Sequence, residues 1–197
     1  MPANERREQL LDRAAELFAR HGYARATTAE LAKAAGVTEP IIYRHFDSKR
    51  DLFVALIRRT GERTLAMWAE HLADAHDPAD RVKRLINDNP MVTRENRDAY
   101  RVMLQAISEV EDDDVIQAAL DDHIGSVHAF LSKELAHAQA AGRVPDRFGP
   151  EVLAWVMISL GLGYGVLAAM SITGRGRDEK GIHIRDVIAA AMINVPK

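Results

Sequence analysis

Apolar residues recur at three- and four-residue steps along nearly the whole chain, the spacing of amphipathic helices. No run of alternating β-branched residues and no Asn-Gly or Asp-Gly hairpin turn argues for strands. The pattern therefore predicts an all-α fold of about nine helices. The first runs from Glu5 to His21, with Leu10, Ala14, Leu17 and Phe18 on one face and Gly22 just past its end. Thr27 and Glu30 have the spacing of a capping box, which opens a short helix from Thr28 to Ala35 that Gly36 ends. Thr38 caps a third helix, in whose first turn Pro40 is tolerated because the N–H groups there lack helical partners. Ser48 with Asp51 makes a second box and starts a long helix that Asp77-Pro78 stops near His76. Weaker punctuation places helices near 79–89, 97–109, 113–141, 149–172 and 182–194. The 113–141 stretch carries an apolar stripe of Ile116, Leu120, Ile124, Val127, Leu131 and Leu135.

Two very short helices between longer ones are the most informative local feature. Residues 27–46 read TTAELAKAAGVTEPIIYRHF, and the turn Ala35-Gly36-Val37 makes them a helix-turn-helix. Leu31, Ala32, Ala35, Val37, Ile42 and Phe46 can face inward, which leaves Glu39, Pro40, Ile41, Tyr43, Arg44 and His45 outward on the second helix. A helix this short and exposed fits the major groove of duplex DNA.

The chain here resembles the tetracycline-repressor (TetR) family of transcriptional regulators. The resemblance rests on Phe18, Gly22, Thr27, Leu31-Ala32, Ala35-Gly36-Val37-Thr38, Ile42-Tyr43, His45-Phe46, Ser48-Lys49 and Leu52. It implies a DNA-binding head over residues 1–49 and an effector-binding, dimerising body over 50–197. Matched position by position, it implies phosphate contacts from Thr27, Thr38, Tyr43, His45 and Lys49, and base contacts from Glu39, Pro40, Ile41 and Arg44. The physics agrees: hydroxyls, first-turn amides and an ammonium suit phosphate oxygens, a guanidinium suits guanine, and Ile41 can pack on a thymine methyl. Two positions depart from the family's pattern, because that of Glu39 is frequently basic and that of Pro40 frequently glycine. Glu39 repels phosphate unless it accepts from a cytosine amine.

Composition narrows the alternatives. The 197 residues, 47% hydrophobic and 28% charged, suit a core that buries roughly 70% of the extended-chain surface without metal or disulfide. With no cysteine, thiol catalysis and cysteine-ligated metal sites are excluded. The net charge is −3, but residues 1–50 hold nine Lys/Arg against seven Asp/Glu, so a polyanion surface belongs near the N-terminus. No basic-then-apolar leader opens the chain, which points to the cytoplasm. No hydrolase elbow, zinc-protease, Walker or dinucleotide motif occurs, and Gly161-Leu-Gly163-Tyr-Gly165 lacks the spacing and preceding strand of the last. Glu134-Leu135-Ala136-His137 is one Glu-x-x-His where a di-iron bundle needs two, and Asp121-Asp122-His123 with His128 reads as an ordinary helix face. No catalytic residue, cofactor or metal is expected; a helical metal-dependent enzyme is the weaker alternative.

No charged residue occurs from Val152 to Gly174, a length that also permits a membrane span. Gly161, Gly163 and Gly165 among small polar residues favour close helix contact instead. With Ile184, Val187, Ile188, Ala191 and Met192 the segment makes a two-helix face whose symmetric copy completes a four-helix bundle, the homodimer the resemblance implies. Met67, Trp68, His71, Tyr100, Met103, Leu104, Gln105, His123, Val127, Trp155 and Ser159 have the types that line a small-molecule site. The expected function is a homodimeric repressor of a palindromic DNA operator, released by a small-molecule effector, without a membrane partner.

Overall fold

The computed structural model describes residues 2–87, 102–104, 113–170, 176 and 178–193. Its helices are α1 (Ala3–His21), α2 (Thr28–Ala35), α3 (Glu39–Tyr43), α4 (Lys49–His71), α5 (Pro78–Asn87), α6 (Asp114–Ala140), α7 (Pro150–Ala169) and α8 (Ile184–Met192). The all-α expectation holds among the described residues. Of the helix expected near 97–109 only 102–104 are described, and they are helical.

The helix starts follow their caps, with two differences. Thr27 Oγ1 accepts from the Glu30 amide at 3.2 Å, and the Thr27 amide donates to Glu30 Oε2 at 2.9 Å, a complete capping box. At α4 the Asp51 amide donates to Ser48 Oγ, but the return bond to Asp51 Oδ2 comes from Asp47 rather than Ser48. Thr38 occupies the N-cap position of α3 without a side-chain cap bond. Gly36 ends α2 in the left-handed region (φ 66°, ψ 34°), where other residues are strained, and the Val37 amide closes back onto Ala32 O at 2.9 Å.

The last turn of α4 stops at His71, five residues short of the expectation. The cause lies in α5. Arg81 donates to the carbonyls of Leu72 and Ala75, and Arg84 to that of His71, so guanidinium groups satisfy oxygens that further helical turns would have used. Arg81 also forms a bidentate pair with Glu134 of α6, both bonds 2.7 Å long. That pairing accounts for the Glu-x-x-His stretch: Glu134 serves Arg81, and Leu135 is core.

The chain divides into two compact units. The first takes in Met1–Glu62 and Glu95–His123, the second Arg63–Arg94 and Ile124–Lys197. The first turns of α4 are core to the first unit. There Leu52, Phe53, Leu56 and Ile57 are buried with Leu10, Leu11 and Phe18 of α1. Phe18, Tyr23 and Phe53 form an aromatic cluster with centroids 4.5–5.7 Å apart. Arg59, itself largely buried, reaches Asp12 at 2.8 Å and Glu8 at 3.2 Å and joins α4 to α1. In the second unit, Trp68, Leu72, Val82, Leu85, Leu131, Leu135 and Ala154 make one core.

His123, 5% exposed, packs in the first unit so closely against Gly61 that a β-carbon there would lie 2.6 Å from its Nδ1. Burial lowers the imidazole pKa from the usual 6.5 to about 4. The folded chain therefore holds this ring neutral while the unfolded chain protonates it. Stability from this group is complete above pH 6.5 and is lost as pH falls toward 4. Urea denaturation across that range is expected to lose about 3 kcal/mol, and His123→Leu is expected to flatten much of the dependence.

Candidate nucleic-acid interface and ligand groove

The helix-turn-helix stands on buried Leu31, Ala32, Ala35, Ile42 and Phe46, as the spacing requires, with Val37 half-buried. Pro40, Tyr43 and Arg44 are exposed on α3 and the residue after it, while Glu39, Ile41 and His45 are half-buried. Arg44 makes no side-chain hydrogen bond or ion pair among the described residues, so its donors are available for a base edge.

Three of the five expected phosphate contacts have their donors already engaged. Lys49 Nζ donates to the carbonyls of Tyr23, Ala24 and Ala26 at 2.9–3.2 Å and lies 4.5 Å from the centre of the Tyr23 ring. An ammonium has three protons, and three carbonyls take them. Thr27 Oγ1 donates to Glu30 Oε2 at 3.0 Å. Thr28 Oγ1 lies 2.8 Å from Glu39 Oε2 and 3.2 Å from the Tyr43 hydroxyl. The carboxylate can only accept, so Thr28 donates to Glu39 and Tyr43 donates to Thr28. In that set the hydroxyl of Thr38 and the ring of His45 make no hydrogen bond among the described residues.

Thr28 escapes a reading of the sequence. Its partners lie eleven and fifteen residues away across the turn, beyond any helical spacing. Its effect is to fix one carboxylate oxygen of Glu39, while Oε1 makes no hydrogen bond among the described residues.

The residues expected to line a ligand site do not come together as one lining. Trp68 stacks on Phe130 at 5.6 Å and belongs with Val127 to the core of the second unit; Met67 packs against that core, and His71 is exposed. Met103, Leu104 and His123 belong to the first unit. Trp155 is exposed, with His128 4.7 Å from its ring. Tyr100 and Gln105 lie outside the described residues. Among the described residues of that set, Ser159 lines a groove of about 740 Å³ within the second unit. Its walls are Leu85 and Ile86 of α5, Met157, Leu160, Tyr164 and Leu167 of α7, and Ile184, Arg185 and Ile188 of α8.

Outward on α7 stand Val152, Trp155 and Val156, joined by Met170 just past its end and Val187 of α8, all exposed and none lining the groove. By length and composition α7 is also apolar enough to cross a membrane. Among the described residues no group of three His, Asp or Glu side chains could hold a metal ion; Asp121 and Asp122 are exposed while His123 is buried.

Residues 10–56 match the profile of bacterial regulatory proteins, tetR family, and residues 78–192 match that of the C-terminal part of BetI-type transcriptional repressors. The chain belongs to the tetR family of bacterial regulatory proteins. The HTH-type transcriptional activator FasR of Mycolicibacterium smegmatis is 30% identical over 105 residues, 53% of this chain and 48% of that protein. The HTH-type transcriptional regulator UidR of Escherichia coli K12 is 23% identical over 176 residues, 89% of this chain and 87% of that protein. The chain thus spans about half the length of FasR and most of UidR. A transcriptional regulator from Saccharomonospora viridis, solved in complex with choline, shares the fold: TM-score 0.79 at 22% identity, covering 98% of this chain and 100% of that one.

The engagement of Lys49 generates a test. Lys49→Met keeps the stem and removes three charge-assisted bonds, so the urea midpoint is expected to fall by the equivalent of about 2 kcal/mol. If Lys49 touches no phosphate, the salt slope of DNA binding stays the same in this variant. A slope smaller by about one unit restores the phosphate assignment.

Proposed function

We propose that the chain is a ligand-responsive repressor that binds a pseudo-palindromic operator as a homodimer and leaves it when a small molecule occupies the second unit. The observation that carries this reading is α3: a short helix, held by buried Ile42 and Phe46, with Pro40, Tyr43 and Arg44 turned out to solvent. Two such helices about 34–36 Å apart enter successive major grooves. Arg44 donates to guanine, Ile41 packs on a thymine methyl, and Glu39, oriented by Thr28, accepts from a cytosine amine. Thr38 and His45 hold phosphate oxygens, whereas Lys49 positions the loop before α2.

The stripe Val152, Trp155, Val156, Met170 and Val187 is the face on which the second copy packs, in preference to lipid. A ligand that favours one packing of the second unit shifts the spacing of the paired recognition helices, and release by 100-fold needs about 2.7 kcal/mol of differential affinity. Such a protein works in the cytoplasm, where the DNA is, and performs no catalysis.

Selection of bound fragments from genomic DNA tests the reading. It is expected to return a two-fold symmetric site, and Arg44→Ala is expected to relax preference at one base pair of each half-site by about 1–3 kcal/mol. Recovery of fragments without a common symmetric site contradicts it. Val156→Glu places a charge on the proposed dimer face, and sedimentation is expected to show monomers with weakened operator binding. An unaltered dimer moves the interface elsewhere.

A further inference from the structure

We propose that Arg7, near the start of α1, is a further contact to the DNA backbone and donates to a phosphate beside the end of α3. The inference rests on the reading of α3 as the helix in the major groove and adds a residue to that interface. Arg7 is half-buried, and its guanidinium lies over the Phe46 ring, the central carbon 5.0 Å from the ring centroid. Phe46 is the buried anchor three residues past the end of α3. Its ring lies 6.5 Å from that of His45. Arg7 and His45 therefore stand at the same end of α3, where a helix lying in the groove runs out toward the phosphates that border it.

The charge on Arg7 is uncommitted. Among the described residues it makes no ion pair and no hydrogen bond. Its helical neighbours three and four residues away are Ala3, Asn4, Leu10 and Leu11, none of them a carboxylate, and Glu5 at two residues faces another side of the helix. The next two acidic residues of α1, Glu8 and Asp12, are both paired with Arg59. Lys49, whose position promised a cation at this end of α3, gives its protons to three carbonyls. Arg7 supplies that cation from a different helix. Contact with a ring engages the charge and face of a guanidinium and leaves its in-plane fork of N–H groups for two phosphate oxygens. Because the stem already packs on Phe46, little side-chain freedom is lost when the phosphate is met.

Anisotropy titrations of the full chain on its selected operator and on a scrambled duplex, at about 50 to 200 mM salt, test the proposal. Arg7→Gln is expected to lower the salt slope by about one unit per protomer and to weaken both duplexes, about tenfold or more at the lowest salt, with base preference unchanged. Arg7→Lys keeps the charge and is expected to keep the slope. A single neutral methylphosphonate linkage, moved along the operator, is expected at one place in each half-site to weaken the unaltered protein but not Arg7→Gln. Should Arg7→Gln fail to fold, Arg7→Met, which keeps an apolar stem on Phe46, takes its place in each measurement. A slope left intact without the guanidinium, or affinity lost on the operator but kept on the scrambled duplex, overturns the proposal. Intact slopes together with a two-fold symmetric operator fault Arg7 alone and leave the regulator reading standing. An unaltered chain that binds no duplex at low salt faults the regulator reading itself, and the Arg7 contact with it.

Discussion

A five-residue helix has no stability of its own in water, because nucleation costs more than so few bonds return. Everything the first unit presents to a partner therefore depends on how firmly its surroundings hold α3. Ile42 and Phe46 anchor it from below, and the left-handed Gly36 sets the turn by which it leaves α2. The loop before α2 is fastened in turn by Lys49, whose ammonium gathers three carbonyls while its charge rests on the Tyr23 ring. Tyr23 packs on Phe18 and Phe53, so the start of α4, the end of α1 and the intervening loop become one body. The recognition surface is thus preformed, and binding does not have to order it.

The same economy explains why so few donors on that surface are idle. Thr27, Thr28, Tyr43 and Lys49 spend their protons on neighbours within the unit. What remains outward and uncommitted is a small set with Arg44 at its centre. A surface of this kind gains its selectivity from a few directed groups on a rigid frame, with orientation supplied by main-chain and hydroxyl contacts to phosphate.

Much of the architecture was legible in the residues because it rests on local chemistry. Thr27 with Glu30, Gly36, and the buried positions Leu31, Ala35, Ile42 and Phe46 each follow from spacings within one or two turns. What escaped was tertiary. The stop of α4 at His71 depends on arginines of α5, and the fate of Glu39 on Thr28, eleven residues earlier. The three carbonyls that meet the Lys49 ammonium come together only in the fold, from residues 23–26 steps earlier in the chain. Trp68 and Val127 have the residue types of a ligand wall and are packed in the core, a distinction composition does not carry.

The central claim is that α3 lies in the major groove, and the groove has its own chemical reporter. Guanine N7 faces the major groove and nothing else, so protection from dimethyl sulfate reads occupancy there directly. With the purified chain on a bound duplex, the account predicts two clusters of protected N7 positions about one helical turn apart, related by two-fold symmetry. Unprotected N7 throughout the bound site, with contact confined to the minor groove or the backbone, would contradict it.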